Sequence, residues 1–338
     1  MWGAPAHIFS GWQWHPRAQM LTANELAPKG TGIGLFWNHP FGDARTQSLD
    51  KTPGRPLHAF VVSPDGQSLV YLEQDEWNPP RSFTADWQVA RVELATNRRK
   101  VLLQGQINIA TPEPPRSFSG DASKAPFGWS AATGLIYLTE SDVSVNGPLL
   151  GLWSMQSDGS VLKQIVSAEE KIVGPVSLAP DGRRIMYAVY NAALKTPNID
   201  ATFGLPANEL RVLDVTDGQK HTIMSEPKGL AISGLRWAPD SRQVLFSRRL
   251  ENFGGQVDPV DLLIMRADGT DMRPLVQLDP KHNERITEMI ECTSHDLLYV
   301  VNHDGKTADY VLTNLQDPPR KLMTLPGNWS LKLIACLK

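Results

Sequence analysis

Residues 73–87, Glu-Gln-Asp-Glu-Trp-Asn-Pro-Pro-Arg-Ser-Phe-Thr-Ala-Asp-Trp, gather the side chains of this chain best suited to recognition. Trp77, Phe83, Trp87 and Arg81 are the residue types that anchor protein interfaces. The neighbouring Pro79 and Pro80 limit the entropy lost when such a segment becomes ordered. Phe203 and Phe253 occupy two comparable segments, 190–208 and 250–261. Each of these aromatics has two readings, a local cap folded back on the scaffold or a contact with a partner. The carboxylates Asp75, Glu76, Asp86, Asp121, Glu140, Asp142, Asp200, Asp258 and Asp261 lie in segments of the same kind. A hard cation needs several converging oxygens, and no segment follows the calcium-loop pattern. The eight histidines are dispersed, with no His-x-x-x-His pair, and His15 and His295 sit beside turn sequences. The nucleophile motif Gly-x-Ser-x-Gly is missing. The residues therefore point to binding, with no catalytic, cofactor or metal site assigned.

Composition agrees with a packed protein that does not bind nucleic acid. Apolar residues make up 41% and charged residues 20%, with a net charge of −3. Neutralising phosphates would need a basic stripe. No run reaches the roughly 18 apolar residues of a membrane helix. Residues 1–7 lack the regions of a signal peptide, which suits a cytosolic protein or a mature form. Cys292 and Cys336 do not make a disulfide framework; two buried thiols or one bridge are both open.

The elements that position these residues announce themselves by repetition. Ser63-Pro64-Asp65-Gly66 precedes Leu69-Val70-Tyr71, Ala179-Pro180-Asp181-Gly182 precedes Ile185-Met186-Tyr187, and Ala238-Pro239-Asp240-Ser241 precedes Val244-Leu245-Phe246. An apolar run, a Pro-Asp-Gly turn and a second apolar run predict a hairpin. Aligned on its proline, the phrase falls at Pro16, Pro64, Ala131, Pro180, Pro239 and Thr293. The spacing, about 55 residues, exceeds the usual blade repeat and implies long loops. The first strands are expected at 9–14, 57–62, 126–129, 173–178, 232–237 and 286–292. Gly11, Gly128, Gly174 and Gly234 inside them suggest close approach of neighbouring backbone. A second hairpin follows each first one, as at Asp158-Gly159, Asp217-Gly218 and Asp268-Gly269. Each repeat thus holds four antiparallel strands, a to d.

The Pro-Asp-Gly turns, with third strands such as Leu-Trp-Ser-Met-Gln-Ser-Asp-Gly (152–159) and Leu-Ile-Met-Arg-Ala-Asp-Gly (263–269), resemble the TolB-like, WD40-like propeller repeat. The resemblance covers nearly the whole chain and implies an all-β, six-bladed β-propeller with four antiparallel strands per blade. It gives a single domain over 1–338, with blades near 7–52, 56–105, 125–168, 172–226, 230–279 and 285–325 and an extra closing strand over 328–338. It also implies an extracytoplasmic, periplasmic or secreted location, the cytoplasm being the alternative.

In a four-stranded meander the a–b and c–d turns share one end and the b–c and d–a loops the other. The long segments 73–87, 106–124, 140–149, 190–208 and 250–261 are expected at the b–c/d–a end, where loops on a rigid scaffold carry binding groups. The function expected is a non-catalytic scaffold that binds a protein or peptide partner through this loop face, as part of an extracytoplasmic assembly. The alternative is a metal-dependent hydrolase or lyase at the mouth of a central channel, drawing on Glu288, Glu291, Asn302 and Arg236.

Overall fold

Apolar alternation on both sides of short strands, cut by Asp-Gly turns, builds a chain of antiparallel meanders. A computed structural model describes the backbone of residues 8–15, 20–27, 30–37, 46–48, 57–75, 84–109, 118–120, 122–141, 148–194, 207–226, 230–251, 257–278, 284–291, 296–303, 306–315 and 317–326, and side chains for a subset from Ala59 onward. Among the described residues there is no helix, hence none long and apolar enough to cross a membrane. The chain divides into two compact units, one of Met1–Val145 with Leu149–Ser167, the other of Asn146–Pro148 with Ala168–Lys338.

In the first unit, β1 (Ile8–His15), β2 (Met20–Ala27), β3 (Gly30–Trp37) and β4 (Thr46–Ser48) pair in order. The second sheet pairs β5 (Leu57–Val62), β6 (Ser68–Gln74), β7 (Thr84–Glu93), β8 (Arg98–Ile109) and a short fifth strand β9 (Phe118–Gly120). The third meander begins with β10 (Ser123–Trp129), β11 (Ile136–Ser141) and β12 (Leu149–Met155). Its last strand is the opening part of β13 (Lys163–Leu178), a 16-residue strand whose remainder starts the next meander. In the second unit that meander continues with β14 (Arg184–Val189), β15 (Glu209–Asp214) and β16 (Lys220–Ser225). Two further sheets follow: β17 (Leu230–Trp237), β18 (Gln243–Glu251), β19 (Val257–Arg266) and β20 (Arg273–Gln277), then β21 (Arg285–Glu291), β22 (Leu297–His303), β23 (Thr307–Thr313) and β24 (Arg320–Pro326). The residues expected as a loop between the third and fourth repeats, 169–171, lie within β13, where Lys171 takes a left-handed φ of 49°.

Where they are described, the central strands carry apolar side chains on both faces, and these pack into several clusters. In the first unit Leu69 and Tyr71 of β6 pack with Ala90 and Val92, while Val70 and Leu72 meet Ile136, Leu138 and Met155 of the third meander. In the second unit Met186, Leu210 and Val212 pack against Trp237, Phe246 and Met265. The other face of that fifth-repeat sheet, Leu245, Leu262 and Ile264, packs on Leu297, Tyr299 and Val301.

The Pro-Asp-Gly turns close as expected. Gly66 and Gly182 take φ of 70° and 75°, and their N–H groups donate to the Ser63 and Ala179 carbonyls. Ser241 holds the equivalent place at φ 59°, a conformation costly for a residue with a Cβ. Its hydroxyl explains why it stays there: Oγ accepts from the Asp181 N–H at 2.8 Å, tying the turns of two neighbouring sheets together.

The strand glycines have a second reason besides the one expected. In every a–b pair the register shifts once within the a strand: between Ser10 and Gln13, Leu57 and Ala59, Pro126 and Gly128, Ile172 and Val176, Ser233 and Arg236, and Ile286 and Glu288. Gly11, Gly174 and Gly234 fall inside these shifts and Gly128 at the edge of one, where they serve bulges; at Gly174 the expected close approach is also present, an added Cβ lying 2.7 Å from the Ala188 Cβ.

Close backbone approach also occurs at the c–d turns. An added Cβ on Gly159 would lie 2.9 Å from the Leu102 carbonyl oxygen, and one on Gly269 would lie 2.5 Å from that of Ile223. Both glycines have left-handed φ, 89° and 85°. Gly269→Ala is therefore expected to cost about 1–3 kcal/mol, read as a lower urea midpoint, whereas Gly218→Ala meets no atom within 4 Å and loses only the φ preference.

The loop expectation holds for the second to fifth meanders in part. Residues 75–83, 142–148 and 190–208 are b–c connections, but β18 and β19 pair from Glu251 with Val257, which leaves only 252–256 between them. The first and sixth sheets depart from the pattern. Their b–c turns are short, Ala27 pairing Gly30 and His303 pairing Thr307, and the first sheet's longest hairpin connection, 38–45, is c–d. The closing strand expected over 328–338 lies outside the described residues.

Candidate functional site

The loop that carries most of the sequence-predicted recognition residues springs from a locked base. Across its two ends the Asp75 N–H donates to the Asp86 carbonyl at 2.9 Å, and the Asp86 N–H to Asp75 Oδ2 at 3.2 Å. Gln106 Nε2 holds Asp86 Oδ1 at 2.6 Å. One turn inward, Glu73 is fully buried; its Oε2 accepts from Gln88 Nε2 at 2.8 Å and from Arg99 Nη2 at 3.1 Å. Arg99 Nε also donates to the Tyr71 hydroxyl at 3.1 Å. A buried carboxylate is tolerated only when paired in this way.

Trp87 is 3% exposed and belongs to the core between the second and third meanders. The Lys124 ammonium lies 5.8 Å from its ring centre and 4.7 Å from that of Trp153. The same ammonium donates to Glu140 Oε1 at 2.7 Å, and Trp153 Nε1 donates to Glu140 Oε2 at 2.8 Å. Stacking and ion pairing together hold a lysine that burial alone would expel.

The second unit repeats the arrangement at the b–c end of its sheets. Glu170 Oε2 accepts from the Tyr187 hydroxyl at 2.7 Å and Arg211 Nη1 at 3.1 Å, and its Oε1 from Lys220. Glu209 Oε1 accepts from Arg211 Nε at 2.7 Å, and Oε2 from Asn191 Nδ2 at 2.7 Å. Asn208 closes the loop base, accepting from the Asn191 N–H at 2.7 Å and donating to the Asn191 carbonyl at 3.1 Å. In the next sheet Arg248 grips Asp261 with two nitrogens and reaches Glu226 at 3.3 Å. In the last, His303 stands between Glu284 at 2.9 Å and Asp309 at 3.1 Å.

These contacts shift titration. Burial pushes the Glu170 carboxyl up, but hydrogen bonds from Lys220, Tyr187 and Arg211 outweigh it and the group ends below its ordinary value. Glu209 behaves alike: burial raises it, while Asn191 and Arg211 pull it lower still. Burial and the Glu170 charge raise Tyr187 well above a normal phenol. A carboxyl depressed in the folded state stabilises fully above its unfolded value, and that contribution disappears as pH falls through the folded value. Unfolding midpoints should therefore drop as pH falls below 4.5, the ordinary glutamate value, and Glu170→Gln should flatten that slope in urea titrations at pH 3–7.

The sequence-predicted recognition residues are only partly within view. Trp77, Arg81, Phe83, Phe203 and Phe253 lie outside the described residues, and Trp87 sits in the core at the loop's foot. Of the predicted carboxylates, Glu140 and Asp261 are taken up by Lys124 and Arg248. Arg236 is exposed on β17 and Asn302 lies on β22; the side chains of Glu288 and Glu291 on β21 are not described. Among the described residues no three His, Cys, Asp or Glu side chains are grouped to hold a metal. Sequence reasoning missed the ion-pair clusters under the loops. Their one visible signal is a charged residue near the loop end of otherwise apolar strands, as at Glu73, Glu209 and Asp261.

No protein-family model matches the chain, and no curated protein matches it. Solved structures share its fold. It overlays 94% of its length on a prolyl endopeptidase with a TM-score of 0.59 and 10% identity, spanning 43% of that protein, less than half its length. An oligogalacturonate lyase from Vibrio parahaemolyticus matches 95% of this chain and 75% of its own, with a TM-score of 0.55 and 14% identity. The β-propeller domain of the trilobed protease from Pyrococcus furiosus, which has an open velcro topology, matches 95% of this chain and 82% of its own, with a TM-score of 0.53 and 10% identity. The shared feature is the β-propeller fold, all-β and antiparallel; at such identities nothing of these proteins' activities carries over.

Proposed function

We propose that the chain is a non-catalytic propeller scaffold whose long b–c and d–a loops bind a protein or peptide partner, as an accessory subunit of an extracytoplasmic assembly. In this reading the meanders are the six blades of a TolB-like ring. The observation that carries it is the locked base of the 75–83 loop: Asp75, Asp86, Gln106 and the Trp87–Lys124 stack fix both ends of a segment rich in interface anchors. A loop presented from a fixed base loses less entropy on binding than one free at both ends. Trp87 then positions the loop, and Trp77, Arg81 and Phe83 meet the partner, with Phe203 and Phe253 on comparable loops.

The test is capture from extracts of the source cells, with partners identified by mass spectrometry. The double variant Trp77→Ala/Arg81→Ala should lose at least one partner that wild type and the turn variant Asp240→Ala both retain. Equal recovery of every partner by all three proteins would remove the loop from the binding argument. The alternative, a metal-dependent hydrolase or lyase drawing on Glu288, Glu291, Asn302 and Arg236, is supported by fold likeness to the lyase.

A further inference from the structure

In the turn between β12 and β13, Val161 stands where folding alone has no use for it. It takes a left-handed φ of 54° and is 71% exposed. A β-branched side chain is disfavoured in that conformation, and here it gains no burial in return. The other described non-glycine residues with positive φ each have a reason. Asn97 and Asp271 are types that tolerate it. Leu315 is 4% exposed, the Ser241 hydroxyl ties two turns together, and the Lys171 ammonium lies 5.9 Å from the Tyr190 ring centre. Asp271 is the direct counterpart of Val161: it follows Asp268-Gly269-Thr270 as Val161 follows Asp158-Gly159-Ser160, at φ 55°. A small polar residue would therefore serve the turn better than valine does.

The turn is firmly held. The Gln156 N–H donates to the Ser160 carbonyl and the Gly159 N–H to the Gln156 carbonyl, both at 2.9 Å. Asp158 Oδ1 accepts from the Ser160 N–H at 2.9 Å and its hydroxyl at 2.6 Å. From β8, Lys100 Nζ donates to the Asp158 carbonyl at 3.0 Å. Val161 and its neighbour Leu162, itself 38% exposed, are thus displayed from a fixed base. Cations flank them. Lys163 comes next in the chain and is exposed, and Arg98, also exposed, shares the Lys100 face of β8 by strand alternation. Among the described residues neither Lys163 nor Arg98 forms an ion pair. The acids of this corner are engaged elsewhere, Asp158 with Ser160 and Glu93 with the Thr96 hydroxyl at 3.2 Å.

We propose that this turn docks on an anionic lipid surface, with Val161 and Leu162 entering the headgroup layer and Lys163, Lys100 and Arg98 meeting lipid phosphates. Shallow apolar insertion beside cations is how a peripheral protein holds an anionic bilayer. A second copy of this chain is the poorer occupant, because facing turns would bring like charges together. A protein ligand finds no cleft at an exposed tip, whereas a fluid headgroup layer opens around it. The loops of the binding proposal leave the opposite ends of the strands, so either reading can fail alone.

The test is sedimentation of the full-length protein with vesicles of phosphatidylcholine alone and of phosphatidylcholine mixed equally with phosphatidylglycerol. Wild type should sediment with the mixed vesicles, less so as salt rises, and stay in solution with the neutral ones. Lys163→Gln should weaken binding about fivefold, the effect of one cation near such a surface. Val161→Asn should weaken it by about the same factor and yet raise the urea midpoint, because asparagine accepts left-handed φ. Weaker binding by a more stable protein cannot come from a folding defect. Trp77→Ala/Arg81→Ala should bind vesicles as wild type does. No sedimentation with mixed vesicles, equal binding to neutral ones, or undiminished binding by Val161→Asn overturns the proposal. A lower urea midpoint for Val161→Asn overturns it too, by showing that valine serves the fold. Self-association that Val161→Asn abolishes would give the turn to a second copy. Failure to bind vesicles, together with a captured protein that only wild type retains, would give it to a protein partner.

Discussion

Trp87→Ala is expected to cost about 3–5 kcal/mol of folding stability, the range for removing a large aromatic from a packed core. The ring is 3% exposed and packs with Val70, Leu72, Val89, Ile136, Leu138 and Met155, so little can relax into the space it leaves. The loss has a second part. Lys124 keeps Glu140 and Trp153 but loses one of the two rings that flank its ammonium. Urea denaturation of Trp87→Ala, Lys124→Met and the double variant measures this coupling, and the pair should be non-additive because the residues touch. A loss under about 1 kcal/mol, the range of ordinary surface substitutions, would mean that Trp87 is not a core residue. The same reasoning explains why Trp87 does not belong in the partner-capture experiment: its removal would disturb the loop base and the binding surface together, whereas Trp77 and Arg81 separate them.

Trp237→Ala should be comparably severe in the second unit, at about 3–5 kcal/mol. Trp237 is 2% exposed in the core shared by the fourth and fifth meanders. Its indole N–H donates to the Ser177 carbonyl at 3.1 Å, and the Arg184 guanidinium stacks 5.1 Å from the ring centre. Arg184 in turn donates to the Ser241 carbonyl, in the turn that also accepts from Asp181. One tryptophan thus joins core packing to the turn lattice. Trp237→Phe keeps most of the buried area and gives up the indole hydrogen bond, worth about 1 kcal/mol net. Thermal unfolding should rank the proteins wild type, Trp237→Phe, Trp237→Ala. Equal melting of wild type and Trp237→Phe would show that the indole hydrogen bond contributes nothing beyond volume. The first unit has the same device in Arg91, which lies 5.5 Å from the Trp129 ring centre and donates to Ser68 Oγ.

How far the fold was legible can be followed on these residues. The strands around Leu69-Val70-Tyr71, Ile185-Met186-Tyr187 and Val244-Leu245-Phe246 were readable because continuous apolar runs between Pro-Asp-Gly and Asp-Gly turns leave few alternatives. The turns were readable for the same local reason, since left-handed φ demands glycine or a small polar residue. The strand glycines were noticed for close approach, which Gly174 shows, but their bulges were not, because a bulge is a mismatch between two strands and no single strand displays it. The length of β13 was less legible: Glu169, Glu170 and Lys171 look like a polar connection, and Lys171 does turn there at φ 49°, yet all three belong to the strand.

The site was less legible than the scaffold. Local residue types marked out the 73–87 loop as recognition-rich and the acids of that end as a group. They could not show that Glu140 meets Lys124, which is 16 positions away, or that Glu170 gathers Tyr187, Arg211 and Lys220 across 50. Local patterns, which act over a few residues, settle strand, turn and face. Partnership of charges and the depth of a tryptophan depend on which sheets stack, and that is settled only when burial removes water and makes an unpaired charge too costly to keep. The sequence by itself determined an antiparallel, repeated all-β chain with long segments between its strands; tertiary packing decided that Glu73, Glu140, Glu209 and Asp261 are paired and that Trp87 faces inward.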